Sequence, residues 1–258
     1  MKIKMIVCDL DSTLLRTDGT FSQRTLATWE KCRSMGILLA FATARPKMAV
    51  QRLVDAAKPD IIITDGGALV RMNDEVIHRA ILPKEVVDKI FYILCNSEHV
   101  GSITASTDDG HLTDHPITPE EEPIAVDYIL IDTDFSKPVS HDIYKISPQI
   151  FDNAVVEEIT ALPNIAYMPF AGQTWGTFTL ADVSKWHAVQ KVAEHLKISI
   201  VDIVAFGDDF SDIEMLRGCG IGVAVDNAIP EVKAVADEIC ESNDDDGVAK
   251  WLEDNVCQ

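Results

Sequence analysis

The stretch of residues 5–15 constrains the fold of this chain more than any other part of the sequence. It opens with an apolar run, Met-Ile-Val-Cys, and then places Asp9 and Asp11 two positions apart, before Ser12 and Thr13. Parallel strands buried on both faces have near-continuous apolar sequences, and ligands bind beyond their carboxyl ends. The two carboxylates are therefore predicted at the rim of a sheet, where a cation would offset their repulsion. Taken alone, a strand-to-turn junction with Asp as a turn residue explains the stretch equally well.

Strand-like and helix-like segments alternate at both ends of the chain. Strands are predicted over the mainly apolar segments 37–42, 60–63 and 202–206, each of which follows a segment with apolar residues at helical spacing. This alternation predicts a doubly wound α/β domain with a parallel sheet. In the middle of the chain, helices are instead followed by pairs of strands, which predicts an inserted α+β domain. The predicted divisions are residues 1–81 and 181–258 for the α/β core and 82–180 for the insert.

The predicted insert has its own order of elements. Helices are expected over 84–97 and 149–162, where apolar residues recur at helical spacing. The acidic, proline-containing stretch 107–123 is expected to form an exposed loop. Short strands are predicted over 101–105, 128–131, 143–146, 165–170 and 175–180.

Polar residues stand directly after the predicted core strands. They are Asp9 with Asp11, Thr43, Asp65, and Asp208 with Asp212. The carboxyl ends of parallel strands meet at one edge of a sheet, so these side chains are predicted to converge although they are distant in sequence. Clustered carboxylate oxygens are ligands for hard cations, which predicts a Mg²⁺ site.

The charge balance limits the partners of the chain. Its 258 residues include 22 Lys and Arg against 42 Asp and Glu, a formal net charge of −20. A nucleic acid or an anionic membrane surface is therefore not an expected partner. No apolar run is long enough to cross a bilayer, and no signal peptide precedes the first strand, so we expect a cytoplasmic protein, monomeric or homodimeric. The six scattered cysteines, with no Cys-x-x-Cys pair, fit reduced thiols.

The ordered set of motifs resembles that of the haloacid-dehalogenase-like (HAD) hydrolases. The matching residues are Asp9-Leu10-Asp11-Ser12-Thr13, Thr43, Lys185 and Gly207-Asp208 with Asp212. The segments 43–46, 226–233 and 246–249 are similar to those of the Cof-type, class IIB members. The resemblance implies a Rossmann-like core with an inserted α+β cap domain of the C2B type. It covers both core segments by motif, and the insert by position and rough length.

The resemblance also implies roles in the transfer of a phosphoryl group. Asp9 would attack phosphorus to form an aspartyl-phosphate, while Asp11 would protonate the leaving oxygen and then deprotonate water. Thr43 would bind the phosphoryl group, and Lys185 would neutralise charge on it and on the nucleophile. The implied metal ligands are Asp9, the backbone carbonyl of Asp11, Asp208 and, in support, Asp212. The implied substrate-binding residues are Thr43, Arg45, Lys185 and Asn227.

Several of these residues have structural explanations as well. Lys185 fits a solvated lysine in a first helical turn, Arg45 a surface arginine and Asn227 an ordinary turn residue. Ser211 with Glu214 matches a capping box, which marks the start of a helix. The order in which the residues occur, rather than any one of them, indicates the family.

The function expected from these features is Mg²⁺-dependent hydrolysis of a small phosphomonoester. A sugar phosphate is the first choice of substrate, before nucleotide and cofactor phosphates. The alternatives are a phosphotransferase or phosphomutase on the same scaffold, a phospho-accepting receiver, and a non-catalytic ligand-binding relative. Departures from the family pattern stand at Ser12, Asp65, Trp186 and Ser211, where Gly, Asn, Gly and Asn are usual. None removes a catalytic group, so an active enzyme is expected.

Overall fold

A computed structural model describes residues 2–73, 75–115, 129–170 and 172–257 of the chain. The chain forms two compact units. The first contains Met1–Ala44, Arg52–His78 and Ser184–Gln258, and the second contains Arg45–Gln51 and Arg79–Val183. Within the described ranges, none of the helices has the length and apolar character that crossing a bilayer requires.

Strands and helices follow one another through both units. The strands are β1 (Met5–Cys8), β2 (Leu38–Ala42), β3 (Ile61–Thr64), β4 (Leu69–Met72), β5 (Glu75–Arg79), β6 (Val100–Ser106), β7 (His111–Thr113), β8 (Leu130–Asp132), β9 (Lys145–Ile150), β10 (Ile165–Pro169), β11 (Gly176–Leu180), β12 (Ile203–Gly207), β13 (Ile221–Val225) and β14 (Glu238–Cys240). The α-helices are α1 (Gln23–Ser34), α2 (Gln51–Ala57), α3 (Lys84–Cys95), α4 (Asn153–Thr160), α5 (Lys185–Leu196), α6 (Ile213–Gly218), α7 (Pro230–Lys233) and α8 (Gly247–Asn255).

The sheet of the first unit has the strand order β14-β13-β12-β1-β2-β3-β4-β5. Its strands from β14 to β3 pair in parallel, whereas β4 runs antiparallel to β3. All four residues of β1 are fully buried, as the apolar run at the start of the sequence predicts for a central strand. The chain moves outward from β1 in both directions, so the predicted doubly wound α/β core is confirmed.

Side-chain caps begin the two helices that frame this sheet. The hydroxyl of Ser22 accepts the Thr25 N–H at 2.9 Å and starts α1, and the hydroxyl of Ser184 accepts the His187 N–H at 3.1 Å and starts α5. A 3₁₀ turn over Lys47–Val50 leads directly into α2.

The second unit contains a six-stranded sheet of order β10-β11-β9-β6-β7-β8. Its strand pairs are antiparallel except for β7 with β8. Apolar residues of α3, α4 and the strands pack into one core, which includes Ile90, Ile146, Ile159 and Phe178. The predicted inserted α+β domain is confirmed as part of the fold class.

Two predictions within the insert are wrong in their details. The helix expected over 149–162 begins only after Asp152, whose carboxylate accepts the Ala154 N–H at 2.9 Å, because Gln149 and Ile150 belong to β9. The loop expected over 107–123 contains the short strand β7, while residues 116–123 lie outside the described part of the chain.

Candidate active site

The ends of three neighbouring strands bring the predicted polar residues to one edge of the first sheet. Cys8 at the end of β1 pairs with Phe206 of β12 on one side and with Phe41 of β2 on the other. Asp9 continues the ladder for one more residue, because its N–H donates to the Phe206 carbonyl at 3.0 Å. Thr43 directly follows β2 and is buried.

A buried lysine joins two carboxylates at this edge. The Nζ atom of Lys185 donates to Oδ1 of Asp9 and to Oδ1 of Asp212, at 2.7 Å in each case. Lys185 is 2% exposed, Asp9 6% and Asp212 0%. One carboxylate oxygen each from Asp9, Asp208 and Asp212 lie within 4.8 Å of one another. Lys185 is therefore not a solvated surface lysine.

Asp212 anchors both the lysine and its own loop. Its Oδ2 accepts the backbone N–H groups of Asp208 and Asp209, at 3.1 and 3.2 Å. Asp209 and Asp212 form the capping box of this loop, so the pairing of Ser211 with Glu214 is wrong. A side chain at Gly207 would meet Asp212, since an added Cβ would lie 2.4 Å from the Asp212 Cβ. Oδ1 of Asp212 accepts from Lys185 and Oδ2 from two backbone N–H groups, so both oxygens already accept hydrogen bonds.

The turn that follows Asp9 reaches the third carboxylate. It spans Leu10–Leu14 and is closed by the Leu15 N–H, which donates to the Leu10 carbonyl at 2.8 Å. The hydroxyl of Thr13 donates to Oδ1 of Asp208 at 2.6 Å. Ser12, directly before it, has a left-handed backbone with φ of 58°.

Burial and neighbouring charges shift the pKa of Asp9, Asp208 and Lys185. Burial raises the pKa of Asp9 well above its usual range, against the opposing charge of Lys185. It is also the main reason why the pKa of Asp208 rises to about 6. Burial acts to lower the pKa of Lys185, but the charges of Asp212 and Asp9 outweigh it and raise that pKa. Lys185 is therefore an ammonium at neutral pH.

The donor set fits a divalent cation. Three carboxylates and one ammonium, when all are ionised, leave an excess of two negative charges in a buried cluster. Such an excess is unfavourable without a further cation. Carboxylate oxygens at short mutual distances are the ligands that Mg²⁺ binds in proteins. This observation supports the predicted magnesium site without depending on any bound ion.

Two of the predicted substrate-binding residues lie outside this cluster. Arg45 belongs to the second compact unit, where its Nη1 donates to the Ala49 carbonyl at 3.5 Å. Asn227 is exposed, and its Nδ2 donates to the Ser12 carbonyl at 2.6 Å. Sequence reasoning also missed Asn243, whose side chain contacts the same turn through Leu15. Its only signal in the sequence is its place in an acidic turn near the end of the chain.

The structure accounts for Trp186, the largest departure from the family pattern. The ring of Trp186 packs against Gly218, where an added Cβ would lie 2.5 Å from a ring carbon. The lysine before it keeps both of its carboxylate contacts.

Gly67, with φ of 113°, allows the loop after β3 to approach Ser184, because a Cβ there would lie 2.2 Å from the Ser184 carbonyl oxygen.

The sequence profile of the haloacid dehalogenase-like hydrolases matches residues 6–252 of the chain. The chain belongs to this family. It is 28% identical to the HMP-PP phosphatase of Enterobacter sp. (strain 638), over 90% of this chain and 87% of that protein. The expectation of a HAD-type phosphatase is therefore confirmed at the level of the family.

Solved structures show the same fold. A haloacid dehalogenase-like hydrolase from Bacteroides thetaiotaomicron superposes with a TM-score of 0.86 at 24% identity, covering 98% of this chain and 99% of that one. A HAD subclass IIB sugar phosphatase superposes with a TM-score of 0.82 at 24% identity, covering 97% and 98% of the two chains. The likeness to both structures lies in the fold.

Proposed function

We propose that the chain is a Mg²⁺-dependent phosphatase that hydrolyses small phosphomonoesters through an aspartyl-phosphate on Asp9. The observation that carries this proposal is the Lys185 ammonium, buried between Asp9 and Asp212 at 2.7 Å from each. A buried cluster with perturbed pKa values and excess negative charge is unfavourable for folding alone, and such clusters are frequent at active sites.

Asp9 is the proposed nucleophile. Its carboxylate oxygen forms a bond to phosphorus while the ester P–O bond breaks and Asp11 gives a proton to the leaving oxygen. Water then attacks phosphorus and passes a proton to Asp11, and the bond between phosphorus and the Asp9 oxygen breaks. The neighbouring ammonium of Lys185 favours the ionised form of Asp9 against the effect of burial.

The surroundings of the two aspartates support this division of roles. Asp9 is buried beside Lys185, whereas Asp11 is exposed, with an extended backbone at φ of −71° and ψ of 130°. Beside the Lys185 ammonium, Asp9 is suited to attack as a carboxylate, while Asp11 in its exposed position can exchange protons with the leaving oxygen and with water. Asp11 is also outside the group of three clustered carboxylates.

Asp9 and Asp208 are the proposed direct ligands of Mg²⁺, together with the backbone carbonyl of Asp11. Asp212 is not a proposed direct ligand; it holds Lys185 and the Asp208 loop in place, since its oxygens accept from Lys185 and from two backbone N–H groups. When bound, the ion supplies positive charge to the oxygens of the transferring phosphoryl group. Removal of the ion is therefore expected to abolish turnover.

Thr43 and Lys185 are proposed to bind the phosphoryl group, and Arg45 the rest of the substrate. The substrate class that we propose is a sugar phosphate, before a nucleotide or cofactor phosphate. The fold of a sugar phosphatase and the 28% identity to an HMP-PP phosphatase support a small phosphorylated molecule. A cytoplasmic location and a monomeric or homodimeric state stay predictions.

A phosphate-release screen over phosphomonoesters, with and without Mg²⁺, tests the proposal. Wild-type protein is expected to release phosphate from at least one ester only with the ion, and Asp9→Asn to lose this activity. Asp202→Asn is the matched control, because Asp202 pairs with Lys4 before the first residues of β12 and β1. Full activity in Asp9→Asn, or no release from any ester by the wild type, would refute the proposal.

A further inference from the structure

We propose that Asn227 and Asn243 are positioning residues that hold the turn after Asp9 in its reactive conformation. This inference rests on the proposed function, since the turn matters only if Asp9 and Asp11 do the chemistry. It assigns both asparagines to the geometry of the nucleophile loop rather than to the substrate.

The two side chains form one connected set of amides, here called the amide pair. Nδ2 of Asn227 donates to the Ser12 carbonyl at 2.6 Å, and its Oδ1 accepts the Asn243 backbone N–H at 3.0 Å. Nδ2 of Asn243 in turn donates to the Leu15 carbonyl at 3.0 Å. The amide pair therefore holds the turn at two carbonyls, three residues apart.

The conformation of Ser12 explains why such support is needed. Its φ of 58° and ψ of 6° place a residue with a Cβ in the left-handed region, which is less favourable for serine than for glycine. The hydrogen bond from Asn227 fixes the carbonyl of this residue. The family usually has glycine at this position, and glycine adopts the left-handed conformation readily. In this chain, the hydrogen bonds of the amide pair hold a serine in that conformation.

The residues on either side of Ser12 connect its conformation to the reaction. Thr13 donates to Oδ1 of Asp208 at 2.6 Å, so a rotation at Ser12 would move that hydroxyl away from a proposed metal ligand. The same rotation would move the carboxyl group of Asp11, the proposed proton donor on the other side of Ser12. Loss of the amide pair is therefore expected to lower the rate of the chemical step and the affinity for the ion.

The hydrogen bonds of both members and the burial of Asn243 set the amide pair apart from ordinary turn asparagines. Asn243 is only 7% exposed, although it lies in an acidic turn. Its backbone N–H and its side-chain amide are both used, and each contacts the same assembly. Buried amides whose partners are removed leave unsatisfied groups behind, and this gives the pair a measurable effect.

The test compares steady-state kinetics of four variants with p-nitrophenyl phosphate and Mg²⁺. Asn227→Ala and Asn243→Ala are each expected to lower kcat about tenfold, because the net stabilisation from one hydrogen bond corresponds to about a tenfold change. KM should stay within about twofold of wild type. Ser12→Gly alone is expected to stay within about twofold of wild type in kcat. Adding it to Asn227→Ala is expected to restore kcat to within about threefold, because glycine adopts the left-handed conformation unaided.

Mg²⁺ binding measured by calorimetry gives a readout that does not need turnover. Asn227→Ala is expected to weaken Mg²⁺ binding about threefold through the displaced Thr13, and Ser12→Gly to reverse this. Asn255→Ala is the matched control, because Asn255 Nδ2 donates to a backbone carbonyl, that of Trp251 at 2.9 Å. It removes a similar hydrogen bond without touching the turn, so it should change neither kcat nor Mg²⁺ binding.

Two results would overturn the inference. Unchanged kcat and Mg²⁺ affinity in both alanine variants would show that the turn needs no support. A loss that Ser12→Gly fails to reverse, or one confined to KM, would assign the asparagines to substrate contact or to general stability. By contrast, full activity in Asp9→Asn refutes the proposed function itself, and the Mg²⁺ affinities of the Asn227 and Ser12 variants still test the support of the turn.

Discussion

Lysine contacts aspartate at both ends of β1 and β12, the two central strands of the first sheet, and the two contacts differ in burial. Before the first residues of β1 and β12, Nζ of Lys4 lies 2.6 Å from Oδ2 of Asp202, with side chains 48% and 17% exposed. Beyond their carboxyl ends, Nζ of Lys185 lies 2.7 Å from both Asp9 and Asp212, and its side chain is 2% exposed.

The distances are nearly equal, so distance alone does not distinguish a surface contact from a site. Water screens the pair at Lys4, and an exposed pair of this kind contributes at most about 1 kcal/mol. The ammonium of Lys185 has lost its water and is held by two carboxylates, beside a third on Asp208. Such an arrangement is costly to assemble, which favours a functional reason for keeping it.

The largest difference between the two ends is expected from removing each lysine. Lys185→Met leaves three clustered carboxylates without their cation, so the metal-free protein should lose about 3–5 kcal/mol of its free energy of unfolding. Phosphate release should fall at least about a thousandfold, because a charge aimed at the phosphoryl group is gone. Urea unfolding in EDTA and a phosphate-release assay measure the two effects.

Lys4→Met is the control for this experiment, since it removes a lysine–aspartate contact of similar length from the same strands. Similar losses of stability and activity in both variants would contradict the distinction between the two ends. A loss of activity with Lys185→Met alone, without destabilisation, would support the catalytic role but not the electrostatic account of the cluster.

A pH dependence should follow from Asp208. Burial is the main cause that raises the pKa of this residue from 3.8 to about 6. Between these values the folded state binds more protons than the unfolded state, so the metal-free protein should lose stability as pH rises from about 4 to 6. The loss should be on the order of 3 kcal/mol by the usual conversion of a pKa shift.

Urea unfolding in EDTA across this range, with wild type and Asp208→Asn side by side, isolates the effect. The variant cannot ionise at this position, so its stability should fall less steeply than that of the wild type. Parallel curves for the two proteins would contradict the raised pKa.

Gly67→Ala tests how the buried end is held in place. The added Cβ would lie 2.2 Å from the Ser184 carbonyl oxygen, at a φ of 113°. Ser184 caps α5, whose first residue is Lys185. We expect a loss of about 2–3 kcal/mol, from the clash and the unfavourable backbone, together with lower phosphatase activity.

Gly36→Ala separates these two causes. Gly36 also has a positive φ, 79°, but nothing lies within 4 Å of an added Cβ. It should therefore lose only about 1 kcal/mol from the backbone conformation and keep full activity. If both variants lost stability equally, close approach to Ser184 would not be the reason for glycine at position 67.

The convergence of Asp9, Thr43 and Asp208 could be predicted because parallel topology forces the ends of β1, β2 and β12 together. The roles of single residues could not be predicted from their local sequence pattern. Periodicity gives Lys185 only a place in a first helical turn, whereas the structure buries it between carboxylates. The contact of Asn227 with Ser12 joins residues 215 positions apart, and no local pattern encodes it.

The wrong start predicted for the second helix of the insert has a physical cause. The segment over 149–162 carries apolar residues at helical spacing, yet its first residues continue β9. Pro148 would normally argue against a strand between two neighbours. Here it pairs with Ile103 beside an irregularity in β6, so the ladder tolerates it. Outside the insert, the strands β4 and β5 were not predicted, since pairing with a neighbour, β4 with β3 and β5 with β4, holds them rather than a pattern of their own.

The smallest effect is expected from Lys4→Met considered on its own. The Lys4 side chain is 48% exposed, so its contact with Asp202 should contribute no more than about 1 kcal/mol to the free energy of unfolding. Salt at about 1 M should remove even this difference between variant and wild type, because it screens exposed charges. Urea unfolding at low and high salt measures it, and phosphatase activity should not change. A larger loss that persists in salt would mean that the exposed end of the sheet contributes to stability as the buried end does, and the contrast between the two ends would fail.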